Sequence, residues 1–379
     1  MEKELKIVTY IKKHGLAKAV SDFKLIMREA PHKVLLKYSQ IDSPMDYEEV
    51  QECRGLILER NTWRVMSMAF KRFFNAEEPR AAKIDWSTAK ILEKIDGSMC
   101  NVAYDWIKNE WYVSTSGMLE AGGECNDSGM TFAELFWKAV GITTGDAEHF
   151  KSCLIKGFTY VFELATPVNI VVVPHTTYSV TLLTIRNVET LEELKYEWVA
   201  KTAGLLKVPH VKQFDLNIKD VIELKKTFEG MPFSEEGYVI CDNGFNRLKV
   251  KNPAYLIAHR LKSKTSAYGI MDVIKSNEID EYIATFAERK DEILSLKAKY
   301  DNLLTTLEAT WIELQTFKPK NITAPEKKNW AAAVFEICEK NDVKPFTGIM
   351  FGKQSGKIGD IKDYMFEFDN KKLYEILNK

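Results

Sequence analysis

The stretch Ile91-Leu92-Glu93-Lys94-Ile95-Asp96-Gly97-Ser98-Met99 decides how the rest of the chain is read. An apolar run ends at Lys94, and Asp96-Gly97 supplies a turn signal immediately afterwards. Residues 100–107 and 111–115 follow as two β-rich runs around the polar step Lys108-Asn109-Glu110, the pattern of a hairpin. Gly97 permits a tight backbone turn beside whatever Lys94 holds. An amine attacks only after shedding a proton, and burial, a metal or neighbouring cations favour the neutral form. A lysine at a strand end, in a pocket that gathers such groups, is therefore a candidate nucleophile. Lys-x-Asp-Gly also occurs in solvated surface hairpins, so the reading depends on what accompanies it.

A chain of 379 residues suits two domains, or one large domain with an appendage. Hydrophobic residues make up 45% and aromatics 11%, enough for a sizeable core. With 53 basic against 54 acidic residues the net charge is −1, so any nucleic-acid surface must be a local patch. Cys53, Cys100, Cys125, Cys153, Cys241 and Cys338 show no paired spacing, which disfavours a zinc site or a disulfide framework and suits a reducing compartment. The histidines show no metal-ligand spacing either. The N-terminal MEKELKIVTYIKKHG lacks a signal-peptide core, and no apolar run reaches spanning length. The expected location is cytoplasmic, with no membrane partner.

Residues 2–30 read as two amphipathic helices broken near Gly15, the second carrying Phe23, Leu25, Ile26 and Met27 and closed by Pro31. Strands are expected over 34–38, 53–59, 63–70, 160–164, 170–173, 180–185, 238–240 and 247–251, and a helix over 132–140. Arg54 enters an apolar strand. Its fork suits a phosphate, or alternatively a salt bridge to Glu52 or Glu59. Glu163 lies within another such strand and needs a cation, a metal or a hydroxyl; Glu236 leads into a third. Period-two alternation puts Arg247, Lys249 and Lys251 on one face, either to hold phosphates or to guard a sheet edge.

Beyond residue 261 the pattern turns helical. Residues 277–317 place Ile293, Leu296, Tyr300, Leu303, Leu307 and Leu314 on one stripe. Thr323-Ala324-Pro325-Glu326 is a capped helix start, and Asp369 opens a last short helix. The expected fold class is α+β: an antiparallel-sheet domain over residues 1–260, followed by an all-helical C-terminal domain over 261–379.

In chain order, Glu52-Cys53-Arg54-Gly55, Arg72-Phe73-Phe74-Asn75, Lys94-Ile95-Asp96-Gly97-Ser98, Phe162-Glu163-Leu164-Ala165-Thr166-Pro167, Glu236-Gly237-Tyr238-Val239 and Lys249-Val250-Lys251 resemble the covalent nucleotidyltransferase superfamily. More narrowly, they resemble the bacteriophage RNA ligase 1 family, the tRNA-repair type. Concordant order across about residues 50–260 is far more specific than any one motif. The resemblance implies an ATP-grasp-like ligase fold for the first domain, and for the helical domain a role in RNA choice.

It also implies ATP-dependent joining of 5′-phosphate and 3′-hydroxyl RNA ends through a lysyl-AMP and an RNA-adenylate. The roles implied are Lys94 as nucleophile, Lys249 and Lys251 on the α-phosphate, and Arg54 on a nucleotide or RNA phosphate. Glu163 would read the ribose hydroxyl or help hold a metal, and Glu236 would serve the metal. Asp96, Gly97, Arg72, Phe74 and Tyr38 would line the nucleotide pocket, with either Phe162 or Tyr160 stacking on adenine. Mg2+ is the implied ion, with Mn2+ as a substitute. The implied partners are RNA, as single strands or broken tRNA ends, and an end-healing kinase/phosphatase, with the chain itself a monomer.

Two positions depart from the family pattern: Arg72 stands where lysine is common, and Ser116-Gly117 where a basic residue precedes glycine. A capping guanylyltransferase or DNA ligase would share the lysine chemistry. Both usually follow the paired lysines with a small β-barrel, whereas long helices follow here. A non-catalytic RNA-binding module is the reading from another class.

Overall fold

The computed structural model describes residues 4–125, 128–263, 267–276, 279–285, 290–317 and 324–378. The chain divides into two units, Met1–Ser263 and Lys264–Lys379.

In the first unit, β1 (Leu25–Glu29), β2 (Lys33–Tyr38), β3 (Arg54–Glu59) and β4 (Val65–Ser67) form an antiparallel sheet in that spatial order. The strands that follow are β5 (Phe74–Asn75), β6 (Lys90–Glu93), β7 (Ser98–Asp105), β8 (Glu110–Thr115), β9 (Phe158–Ala165), β10 (Ser179–Asn187), β11 (Gln213–Phe214), β12 (Gly237–Cys241) and β13 (Arg247–Lys251). A second antiparallel sheet runs β10-β9-β7-β8, and a third runs β11-β6-β12-β13-β5, in which only β5 is parallel to its neighbour.

The hairpin of β7 and β8 closes for a local reason. The Asp105 carboxylate accepts the N–H groups of Ile107 and Lys108 at 3.0 and 3.1 Å, and Asn109 takes the left-handed conformation (φ 58°) that asparagine tolerates. The helix Phe132–Thr144 starts in a capping box between Thr131 and Glu134 and stops at left-handed Gly145. It covers one face of the second sheet, where Tyr160, Phe162 and Leu164 of β9 join its buried residues in one core. Val161, on the opposite face, packs with Ala69 and Phe70.

Three local expectations change. The second N-terminal helix ends at Asp22; Lys24 takes φ 51°, and Leu25, Ile26 and Met27 pair with β2 instead. A contiguous apolar run beside a matching strand gains more from the ladder than from helix. The strand expected over 63–70 shrinks to β4, because Trp63 (φ 61°) turns the chain sharply just before it. Residues 170–173 form no strand. The N–H groups of Val172 and Val173 go to the buried Asp96 carboxylate rather than to a neighbouring strand.

In the second unit the described residues form helices and no strand. Ile293, Leu296, Tyr300, Leu303, Leu307 and Leu314 are all buried on the helix Lys290–Gln315 and centre its core. Asp369 caps the helix Asn370–Leu377 by accepting the Lys372 N–H at 2.9 Å. The helix start expected at residue 277 and the cap expected at Thr323 lie outside the described residues. No helix among the described residues is long and apolar enough to cross a membrane.

Candidate active site

Lys94 leaves the end of β6 and donates its backbone N–H to the Gly237 carbonyl at 3.0 Å. Its ammonium donates to Glu236 Oε1 at 2.5 Å, across 142 residues of sequence. Gly237 faces Lys251 on β13, so Lys94 and Lys251 flank it from either side. Their sheet buries Ile91, Tyr238, Ile240, Leu248 and Val250 on its other face. Alternation then places Lys94, Lys249, Lys251 and Arg247 together on the site face.

Two glycines set how closely these elements approach. A Cβ at Gly237 would lie 2.2 Å from the Val250 carbonyl oxygen, and one at Gly97 would lie 2.6 Å from that of Leu164 and 3.0 Å from Glu163 Cγ. Neither position admits a side chain, and the Gly97 contact is what sets the Lys94 loop against Glu163. Burial pushes the Glu163 carboxyl up to about 8, against the pull of Lys94 and Arg54 and with the help of Glu236 and Asp96.

Arg54 opens β3, with its guanidinium over the rings of Phe70 and Phe73 at 5.3 and 5.1 Å. Burial draws its pKa down, countered by Tyr38 and Glu163 and assisted by Arg72 and Arg247. These are the groups whose charges it feels. Neither carboxylate considered for Arg54 pairs with it. Glu52 accepts the Ile7 N–H and pairs with Lys71, and Glu59 caps its own turn. Arg72 donates to the Tyr38 hydroxyl at 3.2 Å and lies over the rings of Tyr38 and Phe74 at 5.0 and 5.1 Å. Phe74 is buried in the core of the first sheet and serves as a platform for that guanidinium. At Ser116-Gly117, Lys37 of β2 brings its ammonium to 3.6 Å from where a Gly117 side chain would begin.

Two assignments change. Phe162 and Tyr160 face away from Glu163 into the helix-covered core, Phe162 edge-on to Phe136 at 5.5 Å, so neither can stack on a nucleotide beside Glu163. The Asp96 carboxylate is 5% exposed and already committed: Oδ2 accepts from Val172 and Val173 at 2.8 and 2.6 Å, and Oδ1 from the Tyr255 hydroxyl at 2.7 Å. It fixes the Lys94 loop instead of offering a free carboxylate. Tyr255 escaped sequence reading, as did His175, whose Nε2 lies 2.6 Å from the Asp96 carbonyl. No local pattern marks either residue.

Among the described residues no three His, Cys, Asp or Glu side chains gather in a metal-holding cluster. Glu163 and Glu236 nevertheless both bear on Lys94. A site of one or two carboxylates, completed by water and phosphate oxygens, is the kind that hard divalent ions take beside nucleotides.

A family profile described as RNA ligase matches residues 52–255, and the chain belongs to this RNA ligase family, of the bacteriophage RNA ligase 1 type. Its activity is that of an RNA ligase. The chain is 24% identical over 319 residues to an RNA ligase of Rhodothermus phage RM378, covering 68% of this chain and 71% of that one. It is 29% identical over 276 residues to a protein of Autographa californica nuclear polyhedrosis virus assigned as a bifunctional polynucleotide kinase/RNA ligase. That match covers 69% of this chain and 38% of the viral protein's length. Among solved structures, an archaeal ATP-dependent RNA ligase superposes with a TM-score of 0.46 at 14% identity, over 76% of this chain and 79% of that one.

Proposed function

We propose that the chain seals 5′-phosphate and 3′-hydroxyl RNA ends through a lysyl-AMP carried on Lys94. The observation that carries this reading is the Lys94–Glu236 contact at 2.5 Å, on the sheet face that also bears Lys249 and Lys251. In the first step the Lys94 amine attacks the α-phosphorus of ATP. A P–N bond forms, the bond to pyrophosphate breaks, and the amine sheds its proton toward Glu236, the nearest carboxylate. The RNA 5′-phosphate oxygen then attacks that phosphorus and frees the lysine. Finally, a 3′-hydroxyl attacks the activated 5′-phosphate and AMP leaves. Lys249 and Lys251 neutralise charge on the α-phosphate, Arg54 and Arg72 hold further phosphates with Tyr38 and Phe74 behind them, and Glu163 accepts from the ribose hydroxyl.

Glu236 and Glu163 are the residues that would hold a divalent ion, Mg2+ or Mn2+ in its place, and that ion would screen the phosphates and favour the neutral amine. The first unit is read as the adenylyltransferase domain and the second as the helical domain that selects RNA. All described strands end by Lys251, which favours this reading over capping or DNA-joining relatives with a trailing barrel. The substrates proposed are single-stranded or broken tRNA ends prepared by a kinase/phosphatase, with the protein a monomer in the cytoplasm of a host cell. Incubation with ATP labelled in the α-phosphate should give a labelled protein that Lys94→Ala cannot form. A label that survives this substitution refutes the assignment.

A further inference from the structure

On the site face, beyond Arg54, a cavity of about 740 Å³ opens between β13, β10 and the segment that precedes β5. Six basic residues line it, Arg72, Arg186, Lys195 and Arg247 among them, against four acidic ones, together with the rings of Phe74 and Phe245. One buried carboxylate, Glu193, serves two of these guanidiniums: Arg247 at 2.5 and 3.0 Å, and Arg186 through Oε1. Both of its oxygens are thereby used. Arg186 is only 6% exposed, yet its Nε finds no acceptor, and the buried Nε of Arg72 finds none either. Lys195 is exposed at the rim, with no carboxylate in ion-pair range among the described residues. Basic side chains thus outnumber acidic ones by six to four in a partly desolvated cleft, and the Nε donors of Arg186 and Arg72 lack acceptors, although Arg72 also pairs with Glu78 at 4.0 Å. Such an arrangement is costly unless an anion completes it.

The cleft continues the proposed adenylate site. Arg54 and Arg247 both lie over the Phe70 ring, at 5.3 and 5.1 Å. On β13, Arg247 precedes Lys249 and Lys251 by two and four residues on the same face, steps of about 7 and 14 Å. Those steps are comparable with successive phosphates of an extended strand. The volume exceeds what one phosphate needs and falls within the range of sites that enclose larger ligands. Guanidinium forks beside aromatic rings suit a backbone with bases attached more than a bare anion.

We propose that this cleft is a subsite for the phosphodiester backbone of RNA, holding the nucleotides next to the end activated at Lys94, with Arg186, Arg247 and Lys195 as its phosphate contacts. The inference rests on the ligase reading above, and its test separates the two. Full-length wild-type protein must first take label from ATP; failure there removes the ligase reading itself. Lys195→Ala and Arg247→Gln are then assayed for adenylation by ATP without RNA, and for sealing of a pre-adenylated RNA strand across a salt series. For K195A, adenylation should stay within about twofold of wild type and the log–log salt slope should become shallower by about 1, while KM for the RNA rises roughly tenfold in R247Q. K195A decides the matter if R247Q misfolds, since Lys195 is exposed. Unchanged KM and salt slope would make the cluster structural only. A parallel loss of adenylation would assign the cleft to the ATP phosphates. Either result overturns the proposal.

Discussion

Removing the Asp96 carboxylate should loosen the catalytic loop and the fold together, by an amount the hydrogen bonds allow to be worked out. Asp96→Ala removes the acceptor of two buried N–H donors, of Val172 and Val173. It also removes the Asp96 acceptor of the Tyr255 hydroxyl. Each buried donor left unpaired costs about 1–3 kcal/mol, so the variant should lose about 3 kcal/mol or more. For a unit of this size that corresponds to roughly 6–12 °C in Tm. Tyr255→Phe alone removes one hydrogen bond to a charged acceptor and should cost about 1.5–3 kcal/mol. In the Asp96→Ala background the same change should be close to neutral, giving a coupling of about 1.5 kcal/mol or more in a double-mutant cycle. Urea unfolding of the four proteins measures the cycle, and labelled ATP measures lysyl-AMP formation, which should fall in step with the Asp96 variant. Additive effects of the two substitutions, or an Asp96→Ala protein that unfolds at the wild-type midpoint, would refute the claim that this carboxylate ties the Lys94 loop to its neighbours.

Two further outcomes follow from buried charge. In the ligand-free protein Glu163 keeps its proton to about 8, whereas the unfolded chain releases it near the ordinary 4.5, so folding takes up a proton between those values. Wild-type stability should therefore fall relative to Glu163→Gln as pH rises from about 5 to about 8, and added Mg2+ should shrink that gap by favouring the ionised form. Urea midpoints across that range check it, and a gap independent of pH would exclude the shift. Lys33 is fully buried, 3.0 Å from Asp105, 2.9 Å from Glu120 and 4.0 Å from the Tyr112 ring centre, on a face the site does not use. Lys33→Met should cost about 3 kcal/mol by leaving the buried Asp105 with the His32 ring, 2.7 Å away, but without its lysine. Adenylation per folded molecule should be unchanged, as calorimetry alongside the labelling assay would record.

The parts of this architecture that could be read from sequence are those with a local period. The alternation of Arg247, Leu248, Lys249, Val250 and Lys251 fixed both the strand and the face of its cations, and the turn at residues 106–109 follows from Asp105 and Asn109. The stripe from Ile293 to Leu314 likewise fixed the helix that centres the second unit. What escaped depends on partners distant in sequence: Asp96 meets Tyr255 across 159 residues, and Arg247 meets Glu193 across 54. Residues 170–173 look like a strand because apolar composition does not reveal where backbone N–H groups go, and here they go to a carboxylate.

The aromatic assignment on β9 is a different kind of miss, since period alone could have settled it. Once Glu163 is taken to face the nucleotide, every residue an odd number of positions away on a regular strand faces the opposite side. Both Phe162 and Tyr160 stand at odd offsets, and both lie in the core under the helix Phe132–Thr144. The β-bulge between Leu182 and Thr184 lies on the partner strand β10, while β9 pairs without a shift against β7 from Val102 to Ser98, so alternation is unbroken at Glu163. A site carboxylate within a strand therefore excludes its immediate neighbours as ligand contacts, and a stacking ring for this nucleotide has to come from an element other than β9.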